Sequence, residues 1–583
     1  MVLNRQPTRV AWFVLAALLL VAGAFQLTRA GYSVDEEFTV FAVRGIQAEG
    51  LPILPSKLLY DRGLAYSYAS GVAGAVSNSE LPAYRALSLL SALASVLLVL
   101  TMVRRLATHR AALLAAALVA ISLPFWATAT TGRFYAPFLA VYLCGLFGFA
   151  KVQAGLATRA LLLGLVVAAA VGRWLHELEF TLIGLPLLCA AFGPRADRRK
   201  WLAAAVAVGV GLLAAQATLF ALHALEPSRG ETMVRRFFLW QVLNLFEVPA
   251  SRQYGVLLAA MVVAWLIVPA RAALAAVIAL SGTAMVVAFS IVRASNFGPL
   301  NVAAIVTVLS DGAMYPLDMF RHIAGANPIA ATLVLMGLVA RLAGLGGEWR
   351  AHERAAHLLW MFWVLWFGAI DSGITSNYLL LPVAFMLMAI AIDVDAIVSH
   401  LLPPVSPAAR RFAVVVVSLL VVSLGVDQWR GTGDMADRLE AARPTINLAG
   451  IDEVRAGIQS NDRIACTDEL ACLLLVGRID YWLALDDFVR ERFLVKLGDD
   501  RMAGVYTGAP AVFRPGDLFT PNADGTLPDR VIVVDVFKEY PIGNSRSWLP
   551  RAIELDGLHV TPLLETPQGR VLQISPQERN AAR

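Results

Sequence analysis

Three consecutive carboxylates, Asp35, Glu36 and Glu37, directly follow the first apolar stretch of the chain. Ionisable groups held at the edge of a membrane pair with one another, bind ligands or do chemistry. A carboxylate placed there can take the proton of an acceptor hydroxyl or amine as a general base. Neighbouring residues of a helix point about 100° apart, so one or two of the three can face a single cavity. Asp35 is assigned the base and Glu36 a supporting role; the bland alternative is an acidic, solvated loop. A second set, Arg133, Tyr135, Arg173 and His176, falls at the outer ends of predicted helices. The planar fork of arginine donates two hydrogen bonds to a phosphate, and a lipid phosphate lies at that depth. Interfacial anchoring is the competing use of Arg and Tyr at such positions, with Glu177 and Glu179 as neutralising neighbours.

The elements that must position these groups are membrane helices. Of 583 residues, 58% are hydrophobic and 16% charged, which excludes an ordinary soluble domain. The net charge of +5 is spread over short loops between apolar runs, so it reports membrane orientation and not nucleic-acid binding. Apolar runs predict about thirteen spans. They are Val10–Leu27, Ala83–Val103, Ala111–Thr128, Phe134–Ala150, Ala160–Leu175, Leu178–Phe192, Trp201–Leu225, Tyr254–Pro269, Ala272–Val292, Pro328–Leu342, Leu358–Ile370, Tyr378–Val398 and Phe412–Val426. Val10–Leu27 has no small-residue cleavage site after it and reads as a retained helix. Basic residues accumulate in alternate loops, as at Arg104, Arg105 and Arg110 and again at Arg198, Arg199 and Lys200. That alternation places the N-terminus in the cytoplasm and both polar sets outside.

After Val426 the composition turns polar, so residues 1–426 read as the membrane domain and 427–583 as a soluble α/β domain outside it. The long segment 28–82 is the first external loop. Strands are predicted at Arg463–Cys466, Arg530–Phe537, His559–Leu564 and Arg570–Ile574, and helices at Asp468–Val476 and Trp548–Leu555. Cys466 and Cys472 lie in this polar region, where either a disulfide or two free thiols fit the sequence; Cys144 and Cys189 sit in apolar runs as packing residues. The chain carries no P-loop, HExxH, GxSxG or zinc-type cysteine–histidine set. The carboxylate triplet offers oxygen ligands to a divalent cation, but three consecutive acids are no metal signature.

In the order and sidedness of short motifs the sequence resembles the GT-C class of integral-membrane glycosyltransferases, especially the protein O-mannosyltransferase and aminoarabinose-transferase branch. The segments are Asp35-Glu36 after the first helix, Gly50-Leu51-Pro52, Leu59-Tyr60-Asp61-Arg62-Gly63, Tyr84-Arg85-Ala86-Leu87-Ser88, Gly132-Arg133-Phe134-Tyr135 and Tyr378-Leu379-Leu380-Leu381-Pro382. Gly477-Arg478-Ile479-Asp480-Tyr481 is similar to a segment of extracytoplasmic domains of bacterial members. Asn377 stands where the family often has arginine, and His176 lies near where some relatives carry a lysine. The resemblance implies a multi-pass enzyme of the bacterial inner membrane acting in the cell envelope. Such an enzyme transfers a sugar, with inversion, from a polyprenyl-phosphate donor to a protein, lipid or glycan acceptor. It also implies donor-phosphate contacts from Arg133, Tyr135, Arg173 and His176, and substrate contacts from Glu37, Tyr60, Arg62, Asn377 and Tyr378. A transporter or lipid flippase is the alternative. It would place charges at mid-membrane on broken helices, often in two related halves, and the sequence shows no repeat.

Overall fold

The computed structural model describes residues 31–33, 35–192, 195–224, 327–345, 351–370, 376–401, 445–446, 448–485, 493–496, 502–521, 530–536, 548–566 and 569–576, with a few isolated positions between them. The predicted spans Tyr254–Pro269, Ala272–Val292 and Phe412–Val426 lie outside the described residues, and so does most of Val10–Leu27. After the short strand β1 (Tyr32–Ser33), α1 (Glu36–Glu49) and α2 (Leu64–Ser77) fill the first loop. Then come α3 (Leu81–Leu106), α4 (His109–Ile121), α5 (Leu123–Ala129), α6 (Tyr135–Gln153), α7 (Arg159–Leu175), α8 (Gly184–Phe192), α9 (Arg198–Ala224), α10 (Pro328–Leu342), α11 (Ala351–Ile370) and α12 (Ser376–Leu401).

Among the described residues four helices are long and apolar enough to cross a membrane: α3, α6, α9 and α12. A fifth crossing is made if α4 and α5 count together. The predicted single span Ala111–Thr128 is in fact this pair, bent by 64°. Ser122 is extended (φ −73°, ψ 139°) and Pro124 opens the second piece, so the ladder is broken where the proline lacks its N–H. Leu178–Phe192 is likewise no continuous α-helix. Glu177–Ile183 forms a tight 3₁₀ segment, and only Gly184–Phe192 is α-helical. Glu179, which the predicted span took in, belongs to this tight segment together with Glu177 just before it. Pro328–Leu342 has the predicted bounds, with Pro328 at the first turn where no hydrogen bond is lost.

The bundle core is one continuous apolar cluster built from α3–α12, with Val96, Val99, Leu118, Leu143 and Phe385 among its fully buried side chains. Charge inside it is paired. Arg341 on α10 contacts Glu353 on α11, and His357 Nε2 lies 2.8 Å from Asp393 on α12. The lone pair of His357 Nδ1 accepts the Trp360 indole N–H at 3.2 Å.

The C-terminal unit follows β2 (Thr445–Ile446), which pairs antiparallel with β1, Tyr32 opposite Ile446. It contains β3 (Arg463–Cys466), α13 (Glu469–Val476), β4 (Tyr481–Leu483), β5 (Leu494–Lys496), β6 (Met502–Gly504), β7 (Ala511–Val512), β8 (Val531–Val536), α14 (Trp548–Leu555), β9 (Leu558–Thr566) and β10 (Gly569–Pro576). The main sheet runs β7-β4-β3-β8-β10-β9, parallel from β7 to β8 and antiparallel beyond. β8 is apolar at every position but Asp535 because it is buried on both faces. The helices and strands expected here are present, and α13 is capped by Asp468 and closed by left-handed Gly477 as its sequence requires. Cys466 and Cys472 form a disulfide across the β3–α13 turn.

Candidate functional site

Glu36 is the organising residue. It is fully buried at the first turn of α1, and Arg85 on α3 grips it through Nε–Oε1 at 2.9 Å and Nη2–Oε2 at 2.7 Å. The Ser33 amide donates to Oε2 at 2.7 Å, and the Gly132 amide donates to Oε1. Burial alone would push this carboxyl up. Arg85 and the Gly132 and Ser33 amides outweigh it and hold Glu36 below the usual carboxylate range. One side chain thus ties β1, α1, α3 and the α5–α6 turn together. Gly132 has little room for a larger residue, since a Cβ would sit 3.1 Å from Glu36 Oε1.

Asp35 differs. It is half-buried, takes a left-handed conformation (φ 75°) that non-glycine residues rarely adopt, and its carboxylate makes no hydrogen bond among the described residues. Strained backbone of this kind clusters at functional sites. Glu37 is fully buried on α1.

The Glu36 clamp fixes the neighbouring Arg133, which is 2% exposed. Its guanidinium lies 4.7 Å from the Phe134 ring centre, 5.8 Å from those of Phe38 and Tyr60, and 5.9 Å from that of Tyr135. Nη1 donates to the Tyr60 hydroxyl at 2.8 Å, and the Ser88 hydroxyl donates to the Arg133 carbonyl at 3.0 Å. Among the described residues Arg133 has no carboxylate in ion-pair contact, and its buried Nε has no hydrogen-bond acceptor. Burial would lower the guanidinium, but the oxygens of Tyr60, Asp35 and Tyr135 more than offset that, so it stays charged. Tyr60 itself is pushed up from its ordinary value, by burial first, and so keeps its proton.

The remaining predicted residues surround this pair. The His176 ring stands 5.4 Å from the Phe134 ring and 6.1 Å from that of Tyr135. Burial lowers His176 to about 4, so at neutral pH it is an uncharged ring and not a cation. Its Nδ1 accepts the Leu178 amide at 3.1 Å. Arg62 pairs with Glu177 at 3.0 Å, and Asp61 lies 3.4 Å from His223. Arg173 turns toward α9, donating to Gln216 Oε1 at 3.0 and 3.2 Å, and is the one cation of the set directed to a helix-packing partner. Asn377 and Tyr378 open α12; their side chains lie outside the described ones.

Sequence reasoning gave no role to Arg85, Ser88 or Phe38. An arginine near the start of an apolar span was the available signal for Arg85, because such a charge requires a partner. Among the described residues no three of His, Cys, Asp and Glu gather as a metal site. Both Glu36 oxygens are occupied by N–H donors, which leaves this carboxylate no lone pair for a cation.

No family model matches the sequence, and no curated protein matches it. Solved structures do. ArnT from Cupriavidus metallidurans bound to undecaprenyl phosphate aligns over 98% of each chain at 14% identity and a TM-score of 0.47. The oligosaccharyltransferase AglB from Archaeoglobus fulgidus, in complex with an inhibitory peptide and a dolichol-phosphate, aligns over 97% of this chain and 74% of its own, at 11% identity and a TM-score of 0.47. The protein O-mannosyltransferase complex Pmt1-Pmt2 of S. cerevisiae aligns over 39% of this chain and 34% of its own, at 14% identity and a TM-score of 0.30.

Proposed function

We propose that the protein transfers a sugar from a polyprenyl-phosphate donor to an acceptor on the extracytoplasmic face of the membrane. The observation that carries this reading is the buried cation at Arg133, which has no carboxylate in ion-pair contact, together with the Asp35 carboxylate, which makes no hydrogen bond among the described residues. A buried guanidinium with no anionic partner in contact is costly, and a bound phosphate would supply one. Asp35 takes the proton of the acceptor hydroxyl or amine as that atom attacks the anomeric carbon. The bond from that carbon to the phosphate oxygen breaks with inversion, and the polyprenyl phosphate departs. Arg133 receives the growing phosphate charge, with Tyr60 able to donate its hydroxyl proton to the same group. Glu36, by contrast, acts through position: it holds Gly132, and therefore Arg133, against α1.

The N-terminus is then cytoplasmic and the C-terminal unit lies outside, on the same side as Asp35. Binding of polyprenyl phosphate, and transfer from polyprenyl-phosphate mannose or aminoarabinose, tests the reading in purified membranes. Asp35→Asn keeps the shape but cannot take the proton, so turnover falls about 10²–10⁴-fold with donor binding retained. Arg133→Ala weakens binding as well as turnover, because its contact acts in ground and transition states alike. Near-normal turnover in Asp35→Asn overturns the catalytic assignment.

A further inference from the structure

The Arg133 cage is not built by the membrane bundle alone. Phe38 and Tyr60, two of its rings, stack on each other with centroids 5.4 Å apart and planes at 15°. On the far side of Phe38 stands Tyr506 from the C-terminal unit, edge-on at 4.8 Å and 79°. Behind Tyr506 lies Phe493, at 5.4 Å. An unbroken series of rings therefore runs from the C-terminal unit to the buried guanidinium.

The loop bearing Tyr506 is held from both sides. The Thr507 amide donates to Glu469 Oε2 at 2.9 Å, and the Thr507 hydroxyl donates to the same oxygen. Glu469 is 4% exposed at the first turn of α13 and fills the space beneath Gly504, where a Cβ would collide with its carboxylate. On the membrane side, the Tyr506 carbonyl accepts the Ser56 amide at 3.1 Å, joining this loop to the turn that leads into Tyr60. Tyr506 joins Leu470, Leu473 and Leu474 of α13 in one apolar cluster with Phe41 and Leu54 of the first loop. The Tyr506 ring meets Phe38 edge-on, nearly perpendicular to the Phe38–Tyr60 stack.

We propose that Tyr506 is a positioning residue of the transfer site, wedged edge-on against Phe38 so that the Phe38–Tyr60 stack aims the Arg133 guanidinium at the donor phosphate. This rests on the proposed transfer reaction. The C-terminal unit is then a working part of the donor site, and its β1–β2 and Ser56–Tyr506 contacts with the first loop set the alignment.

The test measures polyprenyl-phosphate affinity and turnover in nanodiscs for wild type, Tyr506→Ala, Tyr506→Leu, Tyr506→Phe, Phe38→Ala and the Phe38→Ala/Tyr506→Ala double variant. An aromatic pair of this geometry corresponds to a loss of about 3- to 10-fold in affinity and turnover for Tyr506→Ala. Tyr506→Leu keeps bulk for folding but loses the ring edge, so it shows the same loss, whereas Tyr506→Phe restores the wild-type values. In the Phe38→Ala background, Tyr506→Ala adds no further loss, since the ring it acts through is gone. Independent, multiplying losses, or a Phe variant as damaged as Ala, overturn the positioning role while wild-type binding leaves the transfer reading intact. Wild type that binds no polyprenyl phosphate overturns that reading, and this inference with it.

Discussion

Replacing Glu36 by glutamine separates a clamp from a base. Glu36 accepts four donors: Arg85 Nε and the Gly132 amide on one oxygen, Arg85 Nη2 and the Ser33 amide on the other. Glutamine keeps one oxygen and turns an NH₂ group toward the other two donors. Whichever way the amide faces, one Arg85 N–H and one backbone N–H lose their acceptor. Arg85 is 1% exposed, so its charge is then left without its counter-ion. Removing one partner of a buried ion pair costs about 3–5 kcal/mol. The assay is the thermal unfolding midpoint in detergent, read together with polyprenyl-phosphate binding; Glu36→Gln lowers both. In the double variant Glu36→Gln/Arg85→Met neither charge of the pair remains, and replacing a buried ion pair by neutral groups of similar volume is often near neutral. Most of the lost stability therefore returns in the double variant. An unchanged midpoint in Glu36→Gln, or a double variant less stable than the single, refutes the clamp.

Glu469 gives a pH signature. Burial raises it from 4.5 to about 7 despite the Thr507 hydrogen bonds. Between those values the folded chain holds a proton that the unfolded chain has released, so stability declines as pH rises through that window and levels off above it. Glu469→Gln flattens this slope in pH-dependent unfolding of the full-length protein; a slope unchanged by the substitution removes Glu469 as its source. For orientation, a reporter fused after Val426 that is active only outside the cytoplasm is the expected result, and cytoplasmic activity reverses the assignment of Asp35 to the outer face.

Sequence alone was enough where structure is local. The bounds of α10 follow from an apolar run opened by Pro328, and those of α13 from an Asp468 cap and a Gly477 stop. β8 is legible as a β-branched run broken only by Asp535. The same information located Asp35 and Arg133 as residues suited to chemistry, because charge beside apolar spans is conspicuous. It put Asp35 forward as the base and Glu36 as its support, but without the partners that set the two carboxylates apart. Those partners come from far away: Arg85 is 49 residues from Glu36, and Gly132 is 96. Hydropathy also passed over the break at Ser122, where the residues remain apolar while the backbone turns. Tyr506 carries no mark of its own in the sequence. Its relation to Arg133 is created only when α13 docks on α1, and burial and ring geometry, unlike periodicity, exist only in the folded chain.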